Sequence, residues 1–167
     1  MTPNVFILMG VSATGKTTLG NALAESTHGK FLDGDDFHPE ANRKKMASGI
    51  PLSDQDRQPW LEILAELIAS HSTDPTPTFI ACSALKETYR KTLRSKYPAL
   101  GFLHLTAPGK ILLERITCRY ESGQHFMPPS LLASQLEILE IPDYALEMNV
   151  TQPISELVVK FTDHFCR

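Results

Sequence analysis

Apolar residues follow two rhythms along this chain. Short continuous runs alternate with longer stretches in which apolar positions recur every three or four residues. A continuous run of strand length reads as a strand buried on both faces, and the longer rhythm reads as one face of a helix. Strands are predicted over Asn4 to Met9, Lys30 to Asp33, Thr78 to Cys82 and Gly101 to Thr106, with a weaker fifth over Ala145 to Val150. A helix is predicted over Lys16 to Thr27. The roughly 40 residues between the second and third strands are too many for a loop in a compact domain, so they should form helices of their own. Ser53 or Asp54 could cap one of these, and Trp60, Leu61, Leu64, Leu67 and Ile68 repeat at the spacing of a single helix face. Ile154, Leu157, Val158 and Phe161 do the same after Pro153. The segment Asp74 to Thr78 is a turn-rich connector ahead of the third strand. Strands alternating with helices predict an α/β protein of three layers, a five-stranded parallel sheet flanked by helices.

Length and charge narrow the class. The chain has 167 residues, 42% hydrophobic and 21% charged, which fits one globular domain spanning residues 1–167. Sixteen basic residues face 19 acidic ones, and no run of Lys and Arg offers a footprint for nucleic acid, so a small-molecule partner is favoured. The run Val5 to Met9 lacks a basic flank and is far too short for a membrane span, so no membrane partner is expected. The three cysteines, Cys82, Cys118 and Cys166, are far apart and odd in number, as in a reducing, cytoplasmic setting. The six histidines show no metal-site spacing, and no structural metal held by the protein is expected.

The first strand runs into Gly10, Val11, Ser12, Ala13, Thr14, Gly15, Lys16 and Thr17, with Thr18 continuing the helix. This is the phosphate-binding P-loop pattern in its proper context between a strand and a helix. The glycines let backbone N–H groups turn onto phosphate oxygens, and the helix N-terminus favours negative charge. Lys16 would reach the β- and γ-phosphates of ATP, and Thr17 would hold Mg²⁺. The loop alone does not distinguish kinases, GTPases and motors. No N-K-x-D segment is present, which disfavours a GTPase, and the third strand ends without the acidic residue of a Walker B strand, which disfavours a motor.

Directly after the second strand comes Asp33, Gly34, Asp35, Asp36, Phe37, His38 and Pro39. Carboxylates crowded at the carboxyl end of a strand point to Mg²⁺, a substrate hydroxyl or general-base work. A solvated acidic turn capping a helix is the plain alternative, and the P-loop upstream favours function.

These segments, together with Asn42, Lys45-Met46, the stretch from Gly49 to Leu61, Ala81 to Lys86, Tyr89-Arg90, Leu93-Arg94, Arg115, Arg119, His125-Phe126 and Leu131 to Glu140, closely resemble the gluconokinase family over nearly the whole chain. The resemblance implies a P-loop kinase fold like that of shikimate and nucleoside monophosphate kinases. It implies a helical substrate-binding insert over about residues 38–73 and a small lid over about residues 119–131. It also implies transfer of phosphate from ATP to the terminal hydroxyl of D-gluconate, often in a homodimer. Ala13 stands where family members often have Gly, and the link from Tyr120 to Gln124 looks longer than expected.

By the same resemblance Asp33 would support Mg²⁺ through water, and Asp35 would orient and deprotonate the hydroxyl, with Asp36 as the alternative base. His38, Arg57, Ser83, Lys86 and Arg90 are the substrate-binding candidates, since a carboxylate with a row of hydroxyls needs forked cations and short polar groups. Arg94 reads instead as a surface residue. Arg115 and Arg119 lie four apart on a predicted helix and share a face, at the lid position, where arginines can stabilise a transferring phosphoryl group. Pairing of Arg115 with Glu114 or Glu121 is the bland alternative.

Overall fold

Strand β1 (Val5–Met9) is buried throughout and occupies the middle of a five-stranded parallel sheet. Around it lie β2 (Lys30–Asp33), β3 (Thr78–Ala81), β4 (Gly101–Thr106) and β5 (Leu146–Asn149), in the order β2-β3-β1-β4-β5. The register places Phe6 between Phe79 of β3 and Gly101 of β4. The chain was described with a computed structural model that covers residues 2–124 and 128–166.

The helices are α1 (Lys16–Thr27), α2 (Glu40–Ala47), α3 (Asp54–Ser72), α4 (Glu87–Arg94), α5 (Gly109–Glu121), α6 (Ser130–Ile138) and α7 (Ile154–Phe165). Alternation along β1 divides them into two layers. Val5, Ile7 and Met9 share a core with Trp60, Leu61, Leu64 and Ile68 of α3, Tyr89 and Leu93 of α4, and Leu112 and Ile116 of α5. Phe6 and Leu8 face the other way, onto Leu19 and Leu23 of α1 and Leu157 and Phe161 of α7. Phe6 stacks on Phe79 and meets Phe161 edge-on, with ring centroids 5.4 and 5.0 Å apart, an arrangement that aromatic pairs favour. The predicted α/β class with three layers is the observed one.

The predicted helical insert is α2 and α3. Ser53 caps α3 in a capping box with Asp56: the Ser53 hydroxyl accepts from Asp56 N–H at 3.1 Å, and the Asp56 carboxylate accepts from Ser53 N–H at 2.9 Å. The stripe from Trp60 to Ile68 packs on the sheet, and Trp60 Nε1 donates to Gly34 O at 2.8 Å, which ties α3 to the 3-10 turn Gly34–Phe37 after β2. β3 ends at Ala81, one residue before the predicted limit, and β5 is shorter by one at each end.

The two neighbours of β1 are β3 and β4, so the chain moves to opposite sides of the sheet from this strand. A crevice therefore opens beyond its carboxyl end, the place where open α/β sheets bind ligands. Gly10 N–H donates to Ser83 O at 3.2 Å across this crevice, joining the loops that leave β1 and β3. No helix among the described residues is long and apolar enough to cross a membrane.

Candidate active site

The loop from Gly10 to Thr17 turns on residues with left-handed or related backbone angles. Gly10 has φ 144°, and a Cβ there would lie 2.8 Å from Leu105 O. Gly15 has φ 84° and forms the N-terminal boundary of α1. Ala13 also lies in the left-handed region, at φ 66°, which costs an alanine about 1–2 kcal/mol. The departure noted at this position is thus tolerated with strain. Lys16 Nζ donates to the carbonyls of Gly10 and Val11, both at 2.9 Å, and Thr14 Oγ1 donates to Val11 O at 2.9 Å. Burial lowers the pKa of Lys16, opposed mainly by the neighbouring charge of Asp35.

A cavity of about 140 Å³ sits over this loop and the start of α1. Its walls include Ser12, Gly15, Thr17, Thr18 and, from other elements, Asp33, Asp35 and Arg119. Arg115 Nη1 donates to Ala13 O at 3.4 Å, so this arginine reaches the loop and makes no ion pair with Glu114 or Glu121 among the described residues. Arg115 and Arg119 together border a second cavity, of about 150 Å³, with Thr14 and the apolar Val150, Ile154 and Leu157. His125 and Phe126, assigned to the lid, lie outside the described residues.

After β2, Asp33 Oδ1 caps the 3-10 turn by accepting from Asp35 N–H at 3.0 Å. Asp35 then lies between Asp33 and Lys16. Burial, reinforced by the charge of Asp33 and opposed by Lys16, raises its pKa from 3.8 to about 6. Asp35 borders the phosphate cavity and also a narrow pocket of about 40 Å³ whose walls include Ser12, His38, Arg57, Ser83 and Gln135. It further borders an outer cleft of about 780 Å³ with Asp36, Glu40, Arg43 and Lys44. Asp36 is exposed and lines only that outer cleft. Asp35 thus borders both the phosphate-loop cavity and the narrow pocket, and Asp36 borders neither.

His38 is buried and stacks on Trp60, with ring centroids 3.9 Å apart. Asn42 Nδ2 donates to Asp56 O at 2.8 Å, which fixes the amide orientation, and the same nitrogen lies 3.4 Å from His38 Nδ1. His38 Nδ1 is therefore the acceptor, and the proton belongs on Nε2, 3.7 Å from Asp35 Oδ1. Burial, with Arg57 and Arg43 nearby, lowers the pKa of His38 to about 4, so the ring is neutral near pH 7.

The predicted cations separate. Arg57 reaches the narrow pocket, held by Leu52 O and by Tyr89 Oη at 3.2 Å. Lys86 instead pairs with Asp54 at 2.9 Å, and the Tyr89 hydroxyl donates to the same carboxylate, forming a latch between the starts of α3 and α4. Arg90 does not face the cleft. Its guanidinium is buried, donating to Ala84 O at 2.8 Å, Leu85 O at 3.2 Å, Glu87 at 2.9 Å and Tyr144 Oη at 2.8 Å. Arg94 is a packing residue, its guanidinium 4.0 Å from the Tyr144 ring centroid. Gln135 was not among the residues predicted for the site, yet its Oε1 accepts from Ser12 N–H at 2.7 Å and it borders the narrow pocket.

Thr17, Asp33 and Asp35 offer only oxygen donors around the phosphate cavity. No group of three or more His, Cys, Asp or Glu able to hold a metal forms among the described residues. That sparse oxygen set suits Mg²⁺, which is usually held by one or two carboxylates together with substrate phosphates and water.

The family described as an AAA domain matches residues 5–142. The thermosensitive gluconokinase of Escherichia coli (strain K12) is 48% identical over 137 residues, covering 82% of this chain and 72% of that protein. The crystal structure of a gluconokinase from Sinorhizobium meliloti 1021 is 40% identical and superposes with a TM-score of 0.85, over 99% of this chain and 93% of that one. A shikimate kinase structure from Aquifex aeolicus, 17% identical over 96% of this chain and 94% of that one, shares the fold with a TM-score of 0.58.

Proposed function

Because this chain belongs to the gluconokinase family, we propose that it is an ATP-dependent sugar-acid kinase that phosphorylates D-gluconate to 6-phospho-D-gluconate. The observation that carries the mechanism is the place of Asp35, a carboxylate with a raised pKa on the wall shared by the phosphate cavity and the narrow pocket.

In this reading the loop amides, Lys16 and Arg119 hold the β- and γ-phosphates and offset the charge that develops during transfer. The 150 Å³ cavity beside Arg115 and Ile154 takes the nucleotide base. Arg57, Ser83 and His38 orient the sugar acid, with the Arg57 guanidinium matched to its carboxylate and His38 Nε2–H available to a hydroxyl oxygen. Lys86 stiffens the Asp54–Tyr89 latch behind Arg57. Asp35 accepts the proton of the terminal hydroxyl as that oxygen bonds to the γ-phosphorus. The bond from this phosphorus to the bridging oxygen breaks, and ADP leaves. Thr17 and Asp33 would hold Mg²⁺, which supplies charge neutralisation at the phosphates. Arg115 and Arg119, on the helix leading to the lid, keep water from the transferring group.

ADP release measured with and without gluconate tests the proposal. Strong stimulation by D-gluconate, with 6-phosphogluconate as product, is expected. Turnover with shikimate or a nucleotide but not with gluconate, or no turnover with any acceptor, would reject it.

A further inference from the structure

The phosphate cavity and the narrow acceptor pocket share Ser12, Lys16 and Asp35. Ser12 is thus part of the partition between donor and acceptor, and its position is set by a contact 123 residues away in sequence, the bond from Ser12 N–H to Gln135 Oε1. A backbone N–H can only donate, so the carboxamide must present its oxygen to the loop, which fixes the plane of the side chain at the pocket wall.

The helix that carries Gln135 touches the other walls as well. Leu131, one turn earlier on α6, packs with Met46 and Leu52 of the substrate insert. Just beyond the helix, Glu140 N–H donates to Leu85 O at 2.8 Å, and the Glu140 carboxylate accepts from Glu87 N–H at 2.7 Å. This anchors α6 to the segment that follows Ser83. The α6 region is therefore a strut joining the insert and the loop after β3, and Gln135 is its hydrogen bond to the phosphate loop.

We propose that Gln135 is a positioning residue: by holding Ser12 N–H it sets the partition so that the acceptor hydroxyl, and not water, meets the γ-phosphorus beside Asp35. This rests on the sugar-acid kinase reading above. A loop displaced by about 1 Å is enough to cost on the order of 100-fold in a reaction that depends on alignment, and a loosened wall also admits water.

Gln135→Met keeps the length of the side chain and removes the acceptor oxygen, whereas Gln135→Glu keeps an oxygen for Ser12 N–H. For Gln135→Met, kcat/KM for gluconate should fall about 10- to 100-fold, with the Kd for ADP within about twofold of wild type and the melting temperature unchanged. ATP hydrolysis without any acceptor should rise, so that less 6-phosphogluconate forms per ATP consumed. Gln135→Glu should restore the low hydrolysis rate, although its charge would keep the gluconate KM raised.

Wild-type kcat/KM and wild-type coupling in Gln135→Met would overturn the proposal. So would ADP affinity falling as far as kcat/KM, which would make Gln135 a general support of the loop. Leakage in Gln135→Glu well above the wild-type rate would overturn it too, and this comparison serves by itself if the methionine protein does not fold. Wild-type turnover with gluconate tests the kinase reading separately, because acceptor-free hydrolysis is read without reference to the acceptor.

Discussion

Replacing Asp35 with asparagine should make the protein more stable and nearly inactive. Burial and the neighbouring Asp33 raise the Asp35 pKa from 3.8 to about 6. Between these values the folded protein keeps a proton that the unfolded chain has released, so this group's contribution to stability falls as pH rises through the window. Above about pH 6 the carboxylate is ionised in both states, and the full cost of holding the charge in the fold is present. A change of this size corresponds to roughly 3 kcal/mol at about 1.4 kcal/mol per tenfold change in proton affinity. The side chain is 36% exposed, so water screens part of this, and about 1.5 kcal/mol is the better expectation.

Asp35→Asn removes the titration and nearly preserves the shape. Urea unfolding of both proteins, in EDTA and without nucleotide, should show the variant more stable by about 1.5 kcal/mol at pH 8, the difference shrinking towards zero near pH 4. Its kcat should fall by about 100-fold or more if Asp35 is the base, the usual range for removing such a group. Equal stability at pH 8, or a stabilisation independent of pH, would refute the electrostatic argument. Near-normal turnover would refute the catalytic one.

Three further substitutions separate the arginines by what they touch. Arg57→Ala should raise the gluconate KM by about 10- to 100-fold and leave the ATP KM nearly unchanged, and steady-state kinetics showing equal effects on both would reject a substrate-specific role. Arg119→Lys keeps the charge but loses the planar fork, so kcat should fall at least about tenfold, while a variant with intact kcat would remove Arg119 from the phosphate clamp. Arg90→Lys should show the opposite signature. With four partners around its buried guanidinium, it should cost about 3 kcal/mol in urea unfolding, and a selective rise in the gluconate KM with no loss of stability would return Arg90 to the substrate pocket.

Much of the fold was legible because its signals are local. The run Val5 to Met9 is apolar without interruption because β1 has helices on both sides, and the Trp60 to Ile68 stripe has a helical period because one face of α3 meets the sheet. The phosphate loop was legible for a related reason, since its glycines satisfy a backbone requirement of the loop itself. Helical spacing put Arg115 on one face with Arg119, and Arg115 Nη1 does donate to Ala13 O of the loop. Gln135 was not readable in this way: its function as a loop contact depends on α6 returning to Ser12 across 123 residues, and a lone glutamine on an amphipathic helix carries no periodic signal.

The misplacement of Arg90 has a different cause. Arg57 and Arg90 are equally plausible cations near the carboxyl end of the sheet, and both make hydrogen bonds to backbone carbonyls. What separates them is the strain of the carbonyls they meet. The segment after β3 bends through Ala84, a non-glycine residue at φ 45°, and this bend aims Ser83 at the narrow pocket while Ser83 O receives Gly10 N–H. Such a conformation persists only where its surroundings over-determine it. Arg90 supplies that constraint by bonding the carbonyls of Ala84 and Leu85 from one turn into α4, with the Glu87 carboxylate balancing its charge and Tyr144 Oη accepting a further hydrogen bond. A short segment carrying Ser, Lys and Arg after a central strand therefore divides its labour. The serine reaches the pocket, the lysine closes the latch to Asp54, and the arginine is drawn inward because the turn that presents the serine needs a buried donor behind it.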